Sequence, residues 1–310
     1  MESCCAIITA YKANTEILAN LLSIIDPGVE QIIVVCNGGD LPALPQKAAL
    51  IRNGSNVGLG AALNQGIRWS DDRGFSEILL FDQDSNPHRD MVPRLRTALS
   101  RLKITEPKIA AVGPSFSDPR SGQNFPFFKL GFWRKRFADC SVEIVETDSL
   151  ITSGCLIPMN VLRNVGNLDE SLFIDCTDAE WCFRALSKGY RLFGVCAARM
   201  DHRIGDRIFA IRLPFGRTIH LAIHEPVRLY YIMRNRVLLY SAPHASWKWI
   251  SSDIVRIPMK FLAFMCFVPQ RRRNAAYMLA GLFHGVVGRR GKIPQSLLSA
   301  IDRNCDRAER

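Results

Sequence analysis

The sequence predicts an α/β protein with a nucleotide-fold sheet in its first part and a helical extension at its end. Three observations predict it. Short apolar runs alternate with longer segments of helical spacing through the first third, as a sheet covered on both faces requires. Successive runs end in polar or small residues, at Thr9-Ala10-Tyr11, Asn37-Gly38-Gly39 and Asp82-Gln83-Asp84. Beyond about Pro214 the composition turns basic and aromatic.

Taken in order, residues 6–9 read as a strand, 14–24 as a helix and 31–35 as a second strand. Residues 49–52 form a weaker strand, 59–70 a helix and 77–81 a fourth strand. Residues 110–113 read as strand, 115–135 as a loop-rich aromatic stretch, 175–188 as a helix and 190–195 as strand again. In open α/β sheets ligands bind at the carboxyl ends of the strands, so the three polar strand ends are expected to meet at one crevice.

With 48% hydrophobic content in 310 residues, the chain has ample material for a large core plus a smaller unit, which excludes disorder as its main theme. A net charge of +11 suits nucleic acid, anionic lipid or phosphorylated substrates alike. The ten cysteines include no C-x-x-C pair, so reduced, mostly buried thiols are expected in place of a zinc site or a disulfide framework. No export signal is visible at the start, and a cytoplasmic protein is expected. The longest uncharged stretch, residues 274–288, falls short of the roughly 20 residues that span a bilayer. Basic pairs and triplets such as Arg271-Arg272-Arg273 and Arg289-Arg290 flank the apolar runs 261–268 and 275–287. Two readings fit these: amphipathic helices lying on an anionic membrane, or a helical subdomain with a solvated basic face.

Three stretches carry chemistry. Leu79-Leu80-Phe81-Asp82-Gln83-Asp84-Ser85 runs from a buried strand into two carboxylates, hard oxygen ligands for Mg²⁺ or Mn²⁺ and through it a diphosphate. Asn56-Val57-Gly58-Leu59-Gly60 opens a helix with small residues. That serves either backbone approach to a ligand or plain capping. Asp175-Cys176-Thr177-Asp178-Ala179-Glu180-Trp181 places acidic groups at a helix start, where Asp178 is either a first-turn charge or a general base.

Together with Thr152-Ser153-Gly154-Cys155, His202-Arg203-Ile204-Gly205, Arg228-Leu229-Tyr230-Tyr231 and Arg234-Asn235, these stretches in this order resemble family 2 glycosyltransferases of the GT-A fold. Within that family they resemble the bacterial rhamnosyltransferase-like group, from Ala6 to about Leu239. The resemblance implies a Rossmann-like mixed sheet flanked by helices over residues 1–215 and a basic, mostly helical region over 216–310. It implies inverting transfer of a sugar, rhamnose from dTDP-rhamnose, to a hydroxyl of a growing, lipid-linked bacterial surface polysaccharide such as an O-antigen. Asp178 matches the catalytic base, with Thr177 where relatives carry Glu. Asp82 and Asp84 match the residues expected at Mg²⁺ or Mn²⁺, and His202 matches a histidine that is either a ligand to the metal or phosphate or a satisfied structural histidine. Thr9, Tyr11, Asn37, Asn56, Gly58, Asn64 and Asp82 are expected on the donor side, and Gly154, Glu180 and Trp181 on the acceptor side. Cys36 stands where relatives carry an Asp that contacts the nucleoside, which shifts that role toward Asn37.

Peripheral contact with the cytoplasmic face of the inner membrane and a homo-oligomer accompany this reading, and no nucleic-acid partner is expected. A sugar-activating nucleotidyltransferase is the first rival, but Thr9-Ala10-Tyr11-Lys12-Ala13 lacks its glycine-rich phosphate loop. A basic nucleic-acid-binding protein is the second, and no recognisable binding module accompanies the arginines.

Overall fold

The computed structural model describes residues 2–132, 134–203, 205–212 and 218–308. The expected boundary between residues 215 and 216 lies outside the described residues. Two compact units emerge: Met1–Leu130, Lys135–Glu170 and Thr177–Arg203 form the first, and Gly131–Arg134, Ser171–Cys176 and Ile204–Arg310 form the second.

The first unit runs β1 (Cys4–Ala10), α1 (Thr15–Ile25), β2 (Gln31–Cys36), β3 (Ala48–Arg52), α2 (Leu59–Asp72), β4 (Glu77–Asp82), β5 (Asn86–Pro87) and α3 (Met91–Thr105). It continues through β6 (Ile109–Asp118), β7 (Gln123–Phe125), β8 (Phe128–Leu130), β9 (Lys135–Phe137), β10 (Ile144–Thr147), β11 (Cys155–Pro158), α4 (Met159–Val165), α5 (Thr177–Ser187) and β12 (Arg191–Asp201). The main sheet has the order β10-β12-β6-β11-β4-β1-β2-β3, with β5 paired to β12 and β7 to β6. Strands β3, β2, β1 and β4 are mutually parallel, β11 is antiparallel to both β4 and β6, and β12 is parallel to β6. The carboxyl ends of β3, β2, β1, β4, β6 and β12 therefore share one edge.

Every residue of β1 is buried because its alternate side chains enter different cores: Ala6 and Ile8 join one against α1 and α3, Cys5 and Ile7 the other against α2, α4 and α5. Helix α1 starts where Asn14 Oδ1 accepts the N–H groups of Glu16 and Ile17. The stretch expected as loop between 115 and 135 is in part strand. β6 runs on to Asp118 because the far half of β12 pairs with it, Met200 opposite Phe116 and Asp201 opposite Ser117. Cysteine pairing is a second correction. Cys140 and Cys196 form a disulfide across a separation of 56 residues, while Cys4, Cys5, Cys36, Cys155, Cys182 and Cys305 are free and buried. Sequence spacing is blind to this pair; the pairing of β10 with β12, where Cys196 N–H donates to Glu143, brings it together.

The second unit holds a hairpin, β13 (Arg207–Arg212) and β14 (Thr218–Ile223), then α6 (Pro226–Tyr240), α7 (Trp247–Asp253), α8 (Arg256–Phe267), α9 (Arg271–Val286) and α10 (Gln295–Ala308). Helix α6 packs along α9, where Gly281 and Gly285 let the backbones approach: a Cβ at Gly281 would lie 2.4 Å from the Tyr230 carbonyl oxygen. No described helix is long and apolar enough to cross a membrane.

Candidate active site

At the shared strand edge Thr9 lies opposite Asp82 and Ala10 opposite Cys36, while Asn37 N–H donates to the Ala10 carbonyl at 2.7 Å. The strand ends expected to converge do so. The turn after β4 is closed by Ser85, whose N–H and hydroxyl donate to the Asp82 carbonyl at 3.2 and 2.8 Å. Ser85 also shares a hydrogen bond with the hydroxyl of buried Ser153. Gly154, the residue before β11, has φ +78, its N–H donates to the Leu80 carbonyl, and a Cβ there would meet Pro114 at 2.5 Å. Its place is a close-approach position at the back of the Asp82–Ser85 turn.

Gln83, between the two carboxylates, has a role that sequence reading missed. Its side-chain oxygen accepts the Tyr11 N–H at 2.6 Å and its amide donates to the Tyr11 carbonyl at 3.1 Å. An amide is the one short side chain that mimics a strand neighbour in this way, so Gln83 locks the first polar turn to the carboxylate turn. Tyr11 itself is 44% exposed beside Gly38, an open ring at the ends of β1 and β2.

His202 follows β12, where Asp201 pairs with Asn86, two residues beyond Asp84. Its N–H donates to Ser117 at 2.9 Å and its ring stands edge-on to Phe116. Its Nδ1 is buried without a hydrogen-bond partner. A buried imidazole nitrogen without a partner, on the same edge as two carboxylates, is of the donor type that a divalent cation takes. Among the described residues no three His, Cys, Asp or Glu side chains already form a metal-binding group.

Asp178 sits in the first turn of α5, half-buried. Burial pushes the Cys182 thiol up to about 12 and Cys155 well above its ordinary value, and the Asp178 carboxylate adds to both shifts. Cys155 pairs with Leu80 on β4, two residues before Asp82, so the charge of Asp178 is felt at the first residue of β11.

The remaining expected residues are committed to structure. Asn37 donates to the Gly58 carbonyl at 3.3 Å and accepts from Asn53, which is bonded in turn to Gln65. Asn56 Oδ1 accepts the Gly58 N–H at 2.9 Å. Gly58, at φ 93, caps α2. Asn64 is buried, donates to the Leu168 carbonyl and Glu170, and accepts the Leu168 N–H. Glu180 and Trp181 are buried as well. Glu180 holds Arg184 through two bonds of 2.8 Å, and Trp181 is 2% exposed with its indole N–H on the Gly166 carbonyl. Helical spacing placed them near Asp178 but on the core face of α5.

In the second unit Arg234 and Asn235 form a clamp that the sequence did not explain. Arg234 is fully buried and donates to the carbonyls of Leu172 and Gly291 and to Asn235. The Asn235 amide donates to the carbonyls of Leu172, Ile174 and Asp175. These bonds hold a segment in which Phe173, Asp175 and Cys176 all have positive φ, a costly conformation without such fixing.

A sheet of this order, with Asp82 at the end of β4 and Asp84 just beyond it, is a nucleotide-fold α/β arrangement with a carboxylate turn at its ligand edge. Residues 5–141 match the family model for Glycosyl transferase family 2. The dTDP-rhamnosyl transferase RfbF of Shigella flexneri is 34% identical over 250 residues, covering 77% of this chain and 80% of that protein. The chain belongs to glycosyl transferase family 2. Solved structures bear out the fold alone. S. aureus TarS in complex with UDP-GlcNAc matches with a TM-score of 0.56 at 13% identity, over 92% of this chain and 81% of the TarS fragment. GalNAc-T7 with UDP, GalNAc and Mn²⁺ matches at 0.54 and 11% identity, over 87% of this chain and 58% of that one.

Proposed function

We propose that this glycosyltransferase moves rhamnose from dTDP-rhamnose to a hydroxyl of a growing surface polysaccharide carried on a lipid, with inversion at the anomeric carbon. The observation that carries the reading is the carboxylate turn, with Asp82 at the end of β4 and Asp84 two residues on, locked through Gln83 to the end of β1; Asp178, in the first turn of α5, is the base in this reading. The rhamnosyl donor is supported by the 34% identity to RfbF.

Asp178 takes the proton of the acceptor hydroxyl as its oxygen attacks the anomeric carbon from the face opposite the diphosphate. The bond from that carbon to the diphosphate oxygen breaks, and its electron pair leaves on the diphosphate. Asp82, Asp84 and His202 would hold Mg²⁺ or Mn²⁺, which supplies Lewis-acid neutralisation of the departing diphosphate. Such ions are bound by one or two carboxylates plus substrate phosphates, so a complete protein cage is not required. Tyr11 offers its exposed ring to the base, and the Gln83 lock keeps that ring in register with the carboxylates.

A thermal-shift panel of nucleoside diphosphates and their sugars, with and without Mn²⁺, tests the reading on the wild type and Asp84→Ala. Metal-dependent stabilisation by dTDP-rhamnose, lost in the variant, is expected. Stabilisation by another donor instead would replace the sugar, and none by any donor would remove the assignment of the carboxylate turn.

A further inference from the structure

We infer that the outer faces of α8 and α9 form a docking surface for an anionic phospholipid bilayer. In α8, Met259 and Leu262 are 64% and 61% exposed, and Cys266 continues the same helical face. In α9, Leu279, Phe283 and Val286 are 54%, 64% and 76% exposed, spaced by four and three residues along one stripe. The inner faces are satisfied: Phe264 and Met278 share a core with Leu229, Ile232 and Met233 of α6. The exposed apolar residues therefore lie on the side away from that core, and six large or medium apolar side chains in water need a partner.

Charge selects it. Residues 254–301 carry eight Lys or Arg and no Asp or Glu. Arg256 opens α8, Arg271 and Arg272 open α9, and Arg289 follows it, all exposed. Arg273 is paired with Asp302 and Asp306 of α10; an apolar stripe edged by the exposed Arg256, Arg271, Arg272 and Arg289 matches the interface of a bilayer with anionic headgroups, where acyl chains take the stripe and phosphates the arginines. Since no described helix is built to span a membrane, the mode is lying in the interface. The inference deepens the reading above by placing the lipid that carries the acceptor, and it rests on that reading only for this purpose.

The test uses the full chain and vesicles of equimolar phosphatidylcholine and phosphatidylglycerol, against pure phosphatidylcholine. Cosedimentation with the anionic vesicles, weakening as salt is raised, is expected, together with a blue shift of an environment-sensitive dye on Cys266. Leu279→Asp with Phe283→Asp abolishes both signals while metal-dependent donor binding persists, because these side chains are more than half exposed and take no part in donor binding. Arg271→Glu with Arg272→Glu lowers partitioning by about fivefold or more for each residue. Equal partitioning onto neutral vesicles, wild-type partitioning by the aspartate variant, or a dimer dissolved by the same aspartates would overturn the inference, the last by assigning the face to a second copy. Loss of donor binding in the wild type would instead strike the transferase reading.

Discussion

Gln83 and Asp178 show how much a single side chain decides here. Asp178→Asn keeps size and hydrogen bonding but cannot accept a proton, so kcat is expected to fall by about two to four orders of magnitude. Donor stabilisation in a thermal-shift assay should stay at the wild-type level; undiminished transfer would remove Asp178 from the role of base. Gln83→Ala deletes two hydrogen bonds between the Tyr11 and Asp82 turns. Because the site is exposed, global stability should change by only about 1 kcal/mol. The donor KM should rise while kcat for bound substrate is largely kept, and an unchanged KM would show the lock to be irrelevant to donor binding.

At the scale of elements, two close approaches in the second unit set its stability. Gly281→Ala puts a methyl group 2.4 Å from the Tyr230 carbonyl oxygen, in a helix pair that cannot separate without opening its core. A loss of about 1–3 kcal/mol is expected in urea unfolding. Asn235→Ala leaves the carbonyls of Leu172, Ile174 and Asp175 without their shared donor, which costs a further about 1–3 kcal/mol if water does not replace it. Hydrogen exchange should then accelerate first in residues 171–176. Wild-type protection there would show that the positive-φ segment holds itself.

For the whole molecule, pH is the simplest probe because each unit carries its own acid-sensitive group. Glu146 is held down to about 2 by its hydrogen bond to Arg191, with Lys129 assisting. Its contribution is therefore complete above the ordinary carboxylate value of 4.5 and is lost as pH falls through about 2. His224 is lowered to about 4, mainly by burial, with Arg228 adding to the shift. The fold thus favours neutral His224, and stability drops as pH falls from its ordinary 6.5 toward 4. Thermal unfolding followed across this range should show a decline that begins near neutrality. His224→Gln should flatten its upper part, and Arg191→Ala its lower part; a midpoint flat with pH in the wild type would contradict both assignments.

The sequence by itself determined the opening strands, their order of use and the convergence of their polar ends, because alternation of buried runs with helical spacing is a local property. It also named Asp82, Asp84, Asp178 and His202 through short motifs whose chemistry is carried by residue type. Only the tertiary structure decided which partners the other named residues bond to. Glu180 takes Arg184 at the i,i+4 spacing that helical periodicity offers, whereas Asn64 and Trp181 are bonded to Leu168 and Gly166, partners outside their own helices that no periodicity encodes. The Cys140–Cys196 disulfide, the antiparallel β11 that follows Gly154, and the Gln83 lock likewise arise from neighbours brought together by the sheet. Hydrophobic pattern chooses elements, whereas hydrogen-bond partners for buried polar groups are chosen only when the elements meet.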